Sequence, residues 1–404
     1  MRIASVQLRN FRNILEAQID PDPAINLVLG SNAQGKTSFL EAIGYVATLA
    51  SFRGARPSEI PTWDEPLSRV SCALHRPSSA GEDWRTELAV EFARRPPGES
   101  ISRTASIDGR TYGSALQYLG ERFRPGGMGF HAITFNPSDH QIVRGDPRVR
   151  REYLNRVVSA EDFEYLKVLK RFQRVLEQRN SALKSNPFVG LEALEAFTEE
   201  FIQTAVFITE RRLQWLEKLA AKINSVLSRI APTQRDLGVV YLGDWVPGKA
   251  NIPFYNGNLY HTHFSGQGVV PSLQDLEREF RKKLSLRREV ERRFGTTLLG
   301  PHRDDWAFLI DGKPLKGFGS QGEVRSALLA LKLSEILLFE GSIGVKPVLL
   351  LDDLSSELDC ERRRFLMRFI SAMELQVFIT STEDLPFDGR RFQAREGRLE
   401  RPAP

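Results

Sequence analysis

Cysteine and long hydrophobic runs are scarce in this sequence. Its 404 residues include two cysteines, Cys72 and Cys360. Two cysteines exclude a disulfide framework and a cysteine-based zinc site, so we expect each to be a small packed residue. No apolar run reaches roughly 18 residues, which predicts neither a signal peptide nor a membrane span and indicates a cytoplasmic protein.

The overall composition is that of a globular chain. Hydrophobic residues make up 41% and charged residues 26% of the sequence, which is enough for a packed core, and the length predicts two or three domains. The net charge of +5 favours a polyanionic partner, although a total charge does not locate a binding surface.

The segment VLGSNAQGKTSFL at residues 28–40 contains the spacing G-x-x-x-x-G-K-S/T from Gly30 to Thr37. Apolar residues at 25–29 predict a strand before it, and the apolar spacing from Phe39 onward predicts a helix after it. By chance alone the octet would occur in roughly one chain of this length in a hundred. The alternative is an ordinary glycine-rich turn.

The strand, loop and helix predict a phosphate-binding loop for ATP. Backbone N–H groups and the helix N-terminus would surround the phosphates, Lys36 would reach the β- and γ-phosphates, and Thr37 would bind Mg²⁺. The residues that we expect to bind the nucleotide are Gly30, Ser31, Asn32, Ala33, Gln34, Gly35, Lys36, Thr37 and Ser38.

A second apolar run, VLLLDDLSSELD at residues 348–359, leads into two adjacent carboxylates. Such a strand is typical of the centre of a parallel sheet, where both faces are buried and ligands bind at the carboxyl edge. We expect Asp352 to act on Mg²⁺ through water and Asp353 to orient or deprotonate the attacking water. The alternative is that one of them caps the next helix.

A third segment, GFGSQGEV at residues 317–324, leads into a long predicted helix. Ser320 and Glu323 have capping-box spacing, with Ser320 as the N-cap. The functional alternative is that Ser320 and the first backbone amides of the helix bind an anion.

Together these segments resemble the ATP-binding-cassette heads of the SMC, Rad50 and RecF group, and within it the RecF recombination mediators. Further landmarks of that family span nearly the whole chain: NFRN at 10–13, SFR at 51–53, YLKVLKRFQRVLEQRNSALK at 165–184, GPHRDD at 300–305 and LLLDDLSSELD at 349–359. The resemblance implies an α/β fold, an ATP-binding-cassette P-loop NTPase head with an inserted helical lobe.

The resemblance also implies roles for individual residues. Lys36 and Asp353 are expected to act in catalysis, and Ser320 and Gln321 are expected to complete the ATP site of a second subunit. The residues implied at the base or ribose are Arg12 and Asn13, and those implied at Mg²⁺ are Thr37 and Asp352.

At the level of the whole protein, the resemblance implies a weak, DNA-stimulated ATPase that forms a homodimer on ATP. Its implied partners are double-stranded and junction DNA and other recombination mediator proteins. No association with a membrane is implied. Its implied role is to aid recombinase loading in repair, replication, recombination and the SOS response.

The residues between the phosphate loop and the Ser320 turn predict a compact helical lobe. Apolar residues recur at three- and four-residue steps in 165–176 and in 201–227. No heptad pattern is sustained, unlike in SMC and Rad50 proteins. We therefore divide the chain into a head of residues 1–146 with 294–404 and a lobe of residues 147–293.

Two segments, residues 278–295 and 144–156, are rich in lysine and arginine. Either could contact DNA phosphates in a salt-dependent way. For the first segment, the alternative is a solvated helix face with glutamate partners at 277, 279, 289 and 291. The face of this helix that is predicted to pack comprises Leu276, Phe280, Leu284, Arg287 and Val290.

Some positions differ from related ATPases. Ala33 stands where RecF proteins usually have glycine, and a positive φ there would strain the loop. Ser381 and Asp353 replace a histidine and a glutamate of transporter cassettes, as in RecF, so slow hydrolysis is expected. Residues 243–272 match no landmark and predict a long irregular loop.

His302, Asp304 and Asp305 resemble a metal or general-base cluster, as in a nuclease. One histidine and two aspartates on a turn are a thin basis for such chemistry, and the resemblance implies a structural or DNA-facing turn. Three other functions stay open: a transporter cassette, a cassette ATPase coupled to another partner, and a non-hydrolysing DNA-binding scaffold with ATP as structural ligand.

Overall fold

The computed structural model describes most of the chain, namely residues 1–76, 84–95, 100–123, 129–184, 191–247, 250–251, 261–265, 270–353 and 359–401. These residues form two compact units, Met1–Ser138 with Phe339–Pro404, and Asp139–Leu338. The second unit therefore includes residues 294–338, which the sequence-based division assigns to the head. That division remains a prediction.

The strands of the described residues are β1 Arg2–Phe11, β2 Ile14–Ile19, β3 Ile25–Leu29, β4 Leu67–Arg76, β5 Trp84–Arg95, β6 Ser100–Ile107, β7 Arg110–Tyr112, β8 Ala132–Phe135, β9 Leu237–Leu242, β10 Ala250–Asn251, β11 His261–Ser265, β12 Asp305–Ile310, β13 Lys313–Pro314, β14 Val348–Leu351, β15 Val377–Ser381, β16 Arg390–Arg395 and β17 Arg398–Glu400. The helices are α1 Lys36–Thr48, α2 Ala115–Gly120, α3 His140–Arg144, α4 Pro147–Glu161, α5 Phe163–Lys184, α6 Leu191–Ile230, α7 Leu273–Phe294, α8 Leu315–Phe318, α9 Gln321–Ile343 and α10 Cys360–Ala372. Short 3₁₀ turns lie at Pro57–Glu59, Glu121–Phe123 and Pro137–Asp139.

The first unit contains a 12-stranded sheet in the order β7-β6-β5-β4-β1-β2-β17-β16-β3-β15-β14-β8. The neighbours β16, β3, β15, β14 and β8 pair in parallel, whereas the six strands from β7 to β2 in this order pair antiparallel. All four residues of β14 are buried. The predictions of a strand before the phosphate loop and of a buried parallel strand before Asp352 are therefore confirmed.

Helix α1 packs into the core of this unit. Its residues from Phe39 to Ala47 are all buried, and Phe39 lies 6.0 Å from Phe378 of β15 between ring centroids. Tyr45 packs edge-on against Phe92 of β5 at 5.1 Å. The helix thus joins the parallel and antiparallel parts of the sheet, which fixes the direction of its N-terminus.

The second unit combines long helices with a five-stranded sheet in the order β10-β11-β9-β12-β13. The prediction of an irregular loop at 243–272 is wrong in part, because β10 and β11 lie within it and β11 pairs antiparallel with β9. Part of the predicted loop, at residues 248–249, 252–260 and 266–269, lies outside the described residues. The local sequence is rich in Gly and Asn and does not predict a strand, but pairing with the distant strand β9 stabilises one.

Helix α7 buries one face, but not all the residues that were predicted for it. Leu276, Phe280 and Leu284 are buried, whereas Val290 is 44% exposed. The prediction for Val290 is wrong. Two helical turns after Leu284, the residue on the buried face is Glu291, which is 0% exposed, and Val290 lies beside that face.

The structure also bears on the predictions for the two cysteines and for membrane-spanning segments. Cys72 is buried as expected, but Cys360 is exposed, because it is the first residue of α10. None of the described helices is both long and apolar enough to cross a membrane.

Candidate phosphate-binding site

The loop between β3 and α1 has the backbone geometry that its glycines allow. Gly30 has φ 156° and Gly35 has φ 100°, both in a region that favours glycine. A Cβ on Gly30 would lie 2.5 Å from the carbonyl oxygen of Ala394, and one on Gly35 would lie 3.0 Å from Ile14 Cγ1. Close contacts with β16 and β2 therefore require glycine at both positions.

Ala33 adopts the conformation that the sequence analysis identified as costly. Its φ is 64°, in the left-handed region. Two side-chain contacts hold the loop in this shape: Asn13 Nδ2 donates to the Ala33 carbonyl at 2.7 Å, and Ser38 Oγ donates to Asn13 Oδ1 at 2.7 Å. On the other side, the Glu396 N–H donates to Gln34 Oε1 at 2.7 Å.

The Lys36 side chain lies along the inside of the loop. Its Nζ donates to the carbonyl oxygens of Gly30 at 2.7 Å and Ser31 at 2.8 Å. Burial lowers the pKa of Lys36, while the nearby Asp353 and Asp352 carboxylates act in the opposite direction. An ammonium that is largely buried against carbonyl oxygens is stabilised further by an anion.

The two segments predicted to hold Mg²⁺ meet directly. Thr37 Oγ1 donates to Asp352 Oδ1 at 2.8 Å, although 315 positions separate the two residues in sequence. Thr380 Oγ1 donates to the same carboxylate oxygen at 2.8 Å. The next residue, Asp353, has φ 52° and donates its N–H to Thr380 Oγ1 at 2.9 Å.

The donor set around Asp352 fits Mg²⁺. A hydroxyl and a carboxylate are hard oxygen ligands of the kind that Mg²⁺ prefers, and the ion commonly completes its shell with water and phosphate oxygens. Burial raises the pKa of Asp352, against the hydrogen bonds from Thr380 and Thr37. A cation at this carboxylate would favour its ionised form.

Arg12, which was predicted at the base or ribose, makes a structural ion pair. Its guanidinium contacts both carboxylate oxygens of Glu41, at 3.0 and 2.8 Å, and donates to the Glu59 carbonyl at 2.6 Å. Glu41 is 0% exposed and also accepts from Ser51 Oγ at 2.5 Å. A direct contact of Arg12 with nucleotide stays a prediction.

Sequence reasoning missed Thr380 and Glu41. Thr380 lies in the apolar strand VFITS and was not singled out, although the neighbouring Ser381 was. A polar residue near the carboxyl end of a buried strand is a usable signal for a site. Glu41 follows the motif on α1 with helical spacing, and its apolar neighbours gave no sign that it would be buried and paired.

Ser320 and Gln321 belong to the second unit, whereas the phosphate loop belongs to the first. The capping box is confirmed, because the Glu323 N–H donates to Ser320 Oγ at 3.2 Å and the Ser320 N–H donates to Glu323 Oε2 at 2.8 Å. Ser320 and Gln321 are both exposed. Residues 354–358 of the Asp-Asp segment lie outside the described residues.

The residues of the GPHRDD turn serve the packing of the second unit. The carboxylate of Asp305 accepts hydrogen bonds from Nε and Nη2 of the buried Arg150, both at 2.7 Å. Asp304 is buried and accepts the Tyr241 hydroxyl at 2.9 Å. His302 Nε2 lies 3.2 Å from the Thr297 carbonyl oxygen. The structural role implied by the resemblance fits this arrangement.

The arginines of the basic helix α7 are largely engaged with carboxylates. Its ion pairs include Arg278–Asp275, Arg278–Glu279, Arg281–Glu199, Arg281–Glu277, Arg287–Asp244, Arg288–Glu195 and Arg292–Glu289. In the other basic segment, Arg148 pairs with Glu152 and Arg150 is buried against Asp305. This arrangement favours the glutamate-paired helix face over a concentrated DNA-binding patch. The prediction of a solvated partner is wrong for Glu291, which is buried and pairs with Arg179 of α5.

Comparisons with known proteins identify the family. The family model described as AAA domain matches residues 5–69. The DNA replication and repair protein RecF of Citrifermentans bemidjiense is 31% identical over 405 aligned residues, covering 99% of this chain and 100% of that protein. The chain belongs to the RecF family. RecF of Geobacter sulfurreducens is 32% identical over 383 residues, covering 95% of this chain and 93% of that protein.

Solved structures agree with this assignment to RecF. The recombination mediator protein RecF-ATP of the RecFOR pathway has a TM-score of 0.80 and 28% identity, covering 100% of this chain and 98% of that one. The Smc head domain of Pyrococcus furiosus, at 14% identity and a TM-score of 0.52, shares the fold. The predicted α/β head fold of a RecF-type and SMC-type ATPase is thereby confirmed.

Proposed function

We propose that this RecF-family chain is an ATP-dependent DNA-binding protein of recombinational repair. It binds ATP with Mg²⁺, pairs with a second copy of itself on ATP, and hydrolyses ATP slowly. Support comes from the phosphate loop, from the carboxylates beside it, and from the RecF relatives, one of which is described with ATP.

One observation carries the nucleotide assignment. The hydroxyl of Thr37 and the carboxylate of Asp352 meet at 2.8 Å, at the start of α1 and the carboxyl end of β14. A glycine-rich turn without function would not require a buried acid at this point, since burial of a carboxylate is unfavourable. A site for a bound cation beside phosphates gives that acid a role.

The residues divide the chemistry as follows. The Lys36 ammonium and the loop N–H groups bind the phosphates. Thr37 and Asp352 would hold Mg²⁺, which would offset the negative charge of the phosphates. Asp353 orients the attacking water and accepts its proton. The Thr380 hydroxyl contacts both the Asp352 carboxylate and the Asp353 N–H, and so fixes the position of the two acids relative to each other.

We propose that the exposed turn at Ser320 and Gln321 completes the site of a second copy. The turn leads into α9, and the positive end of the helix dipole suits a phosphate. We propose double-stranded and junction DNA as the polyanionic partner, and other recombination mediators as protein partners that aid recombinase loading. These partners follow the RecF resemblance.

Sedimentation mass tests this function. We expect the native protein to double its mass with Mg²⁺ and ATP but not with ADP, and Ser320→Arg to remain a monomer because its long cation fills the phosphate position. Lys36→Ala should also remain a monomer, through loss of ATP binding. A native protein that is monomeric with ATP, with and without duplex DNA, would instead support a scaffold whose nucleotide is structural.

A further inference from the structure

A chain of ion pairs in the second unit ends at the turn that carries Ser320. Arg235, between α6 and β9, donates from Nη2 to the Glu323 carboxylate at 3.1 Å. Its Nη1 contacts the carboxylate of Asp311, in the turn between β12 and β13. Glu323 in turn accepts the Ser320 N–H at 2.8 Å. One guanidinium therefore links three elements at the start of α9.

The Glu323 carboxylate has two opposite effects at this position. It stabilises the helix start, because it accepts a backbone N–H and lies at the positive end of the helix dipole. The Ser320 N–H, followed by Arg235, lowers the pKa of Glu323, so its carboxylate is negative at neutral pH. The same negative charge repels a polyphosphate that approaches the Ser320 turn.

Arg235 is placed to offset this repulsion. Its side chain is 54% exposed and that of Glu323 is 22% exposed, so the pair lies at the surface of the unit. The neighbouring Gln234 Nε2 also lies 3.3 Å from the Glu323 carbonyl oxygen. The segment after α6 thus contacts the first turn of α9 through two successive side chains.

We infer that Arg235 is a positioning residue that neutralises Glu323 and so lets the Ser320 turn of one copy approach the ATP phosphates of another. This inference rests on the proposed ATP-dependent pairing of two copies. Arg235 acts through Glu323 rather than at the reacting atoms.

Variants that change charge show whether Arg235 neutralises Glu323 or only supports the structure of the turn. Arg235→Gln leaves the Glu323 carboxylate without its cation, and the dissociation constant of the ATP-bound dimer should rise roughly tenfold. Glu323→Gln keeps the capping box, because an amide oxygen also accepts the Ser320 N–H. Its dimer should be at least as tight as that of the native protein.

The double variant Arg235→Gln with Glu323→Gln decides the question. Without the carboxylate there is no charge for Arg235 to offset, so pairing should return to within about twofold of Glu323→Gln alone. Asp311→Asn is the matched control, because it removes the other partner of Arg235 and leaves the Glu323 contact. Its dimer should also stay within about twofold of native.

The measurement is sedimentation equilibrium with Mg²⁺ and ATP, with thermal unfolding to verify that each variant folds. Equal pairing by native and Arg235→Gln would overturn this inference alone. Weak pairing that Glu323→Gln does not rescue would make Arg235 a structural residue and also overturn it. A native protein that never pairs would overturn the proposed function as well.

Discussion

At the scale of the residue, Asp304 and His302 show what burial does to ionisable groups in the GPHRDD turn. Burial raises the pKa of Asp304 to about 7, against hydrogen bonds from Tyr241 and Trp245. Burial also lowers the pKa of His302 to about 4. Both shifts favour the neutral form, which suits side chains that pack rather than react.

Asp304→Asn should change how stability depends on pH. Between about pH 4 and 7 the folded protein keeps the Asp304 proton that the unfolded chain releases, so this group makes the native protein less stable as pH rises. The free energy of unfolding of the native protein, minus that of Asp304→Asn, should therefore fall by up to about 1.4 kcal/mol per pH unit in this window.

Urea denaturation of both proteins at several pH values measures this difference. His302 is present in both, so its own opposite pH dependence cancels in the subtraction. A difference that stays constant from pH 4 to 7 would mean that Asp304 is already ionised in the folded protein.

At this scale, a short local pattern is enough to single out candidate residues. Lys36 and Thr37 follow from the spacing of the loop, and Asp352 from the end of an apolar strand; the structure brings Thr37 and Asp352 into contact. The contacts of Thr380 and Arg235 are not evident from local pattern, because each joins two residues that lie 28 and 88 positions apart, respectively.

At the scale of the element, the phosphate loop depends on close approach to the neighbouring strand β16. Gly30→Ala should lower the free energy of unfolding by about 1–3 kcal/mol, because its Cβ would lie 2.5 Å from the Ala394 carbonyl oxygen and φ is 156°. Nucleotide binding should weaken as well, since the loop must shift.

Gly341→Ala is the control for this substitution. Gly341 lies in α9 with no atom within 4 Å of an added Cβ. Alanine in a helix should stabilise the protein by roughly 0.5–1 kcal/mol. Denaturant unfolding compares the two variants, and equal stability of both would contradict the close contact of Gly30 with β16.

Helix α7 contains a buried acid that the helix pattern alone does not reveal. Glu291 accepts Arg179 Nη2 at 2.7 Å and the Leu298 N–H at 2.7 Å. Glu291→Ala should therefore cost about 3–5 kcal/mol of unfolding free energy, because it leaves the buried Arg179 guanidinium without its carboxylate.

The exposed Glu289 on the same helix is the matched control. Its side chain is 84% exposed and lies 3.6 Å from Arg292, so Glu289→Ala should change stability by less than about 0.5 kcal/mol. Equal effects of the two substitutions in a denaturation experiment would contradict the buried pair.

Elements with strong local patterns were predictable, and those that depend on distant partners were not. Strand β14 is four apolar residues followed by two acids, and α1 has apolar residues at helical spacing. Strand β11, in contrast, contains polar residues and finds its hydrogen bonds on β9, about twenty positions earlier in the chain.

At the scale of the whole molecule, parallel strand order places the ends of distant segments together. Strand β15 pairs with β3 on one side and with β14 on the other. The phosphate loop and the Asp352 carboxylate therefore follow strands that are separated by one neighbour in the sheet.

The net charge of +5 is also best understood at this scale. The arginine-rich helix α7 is paired with acids on itself and on neighbouring elements, as Arg281 is with Glu199 and Glu277. A segment rich in arginine is thus also rich in ion pairs, which is why segment composition could not locate a binding surface.

The central claim is that Thr37 and Asp352 hold Mg²⁺ beside a phosphate loop, and titration calorimetry of ATP with and without Mg²⁺ tests it most directly. We expect Mg²⁺ to tighten ATP binding to the native protein and to Asp353→Asn, but not to Asp352→Asn, which should bind ATP equally with and without the ion. Binding of metal-free ATP by Asp352→Asn shows that its loop is intact. An undiminished Mg²⁺ effect in Asp352→Asn would contradict the account.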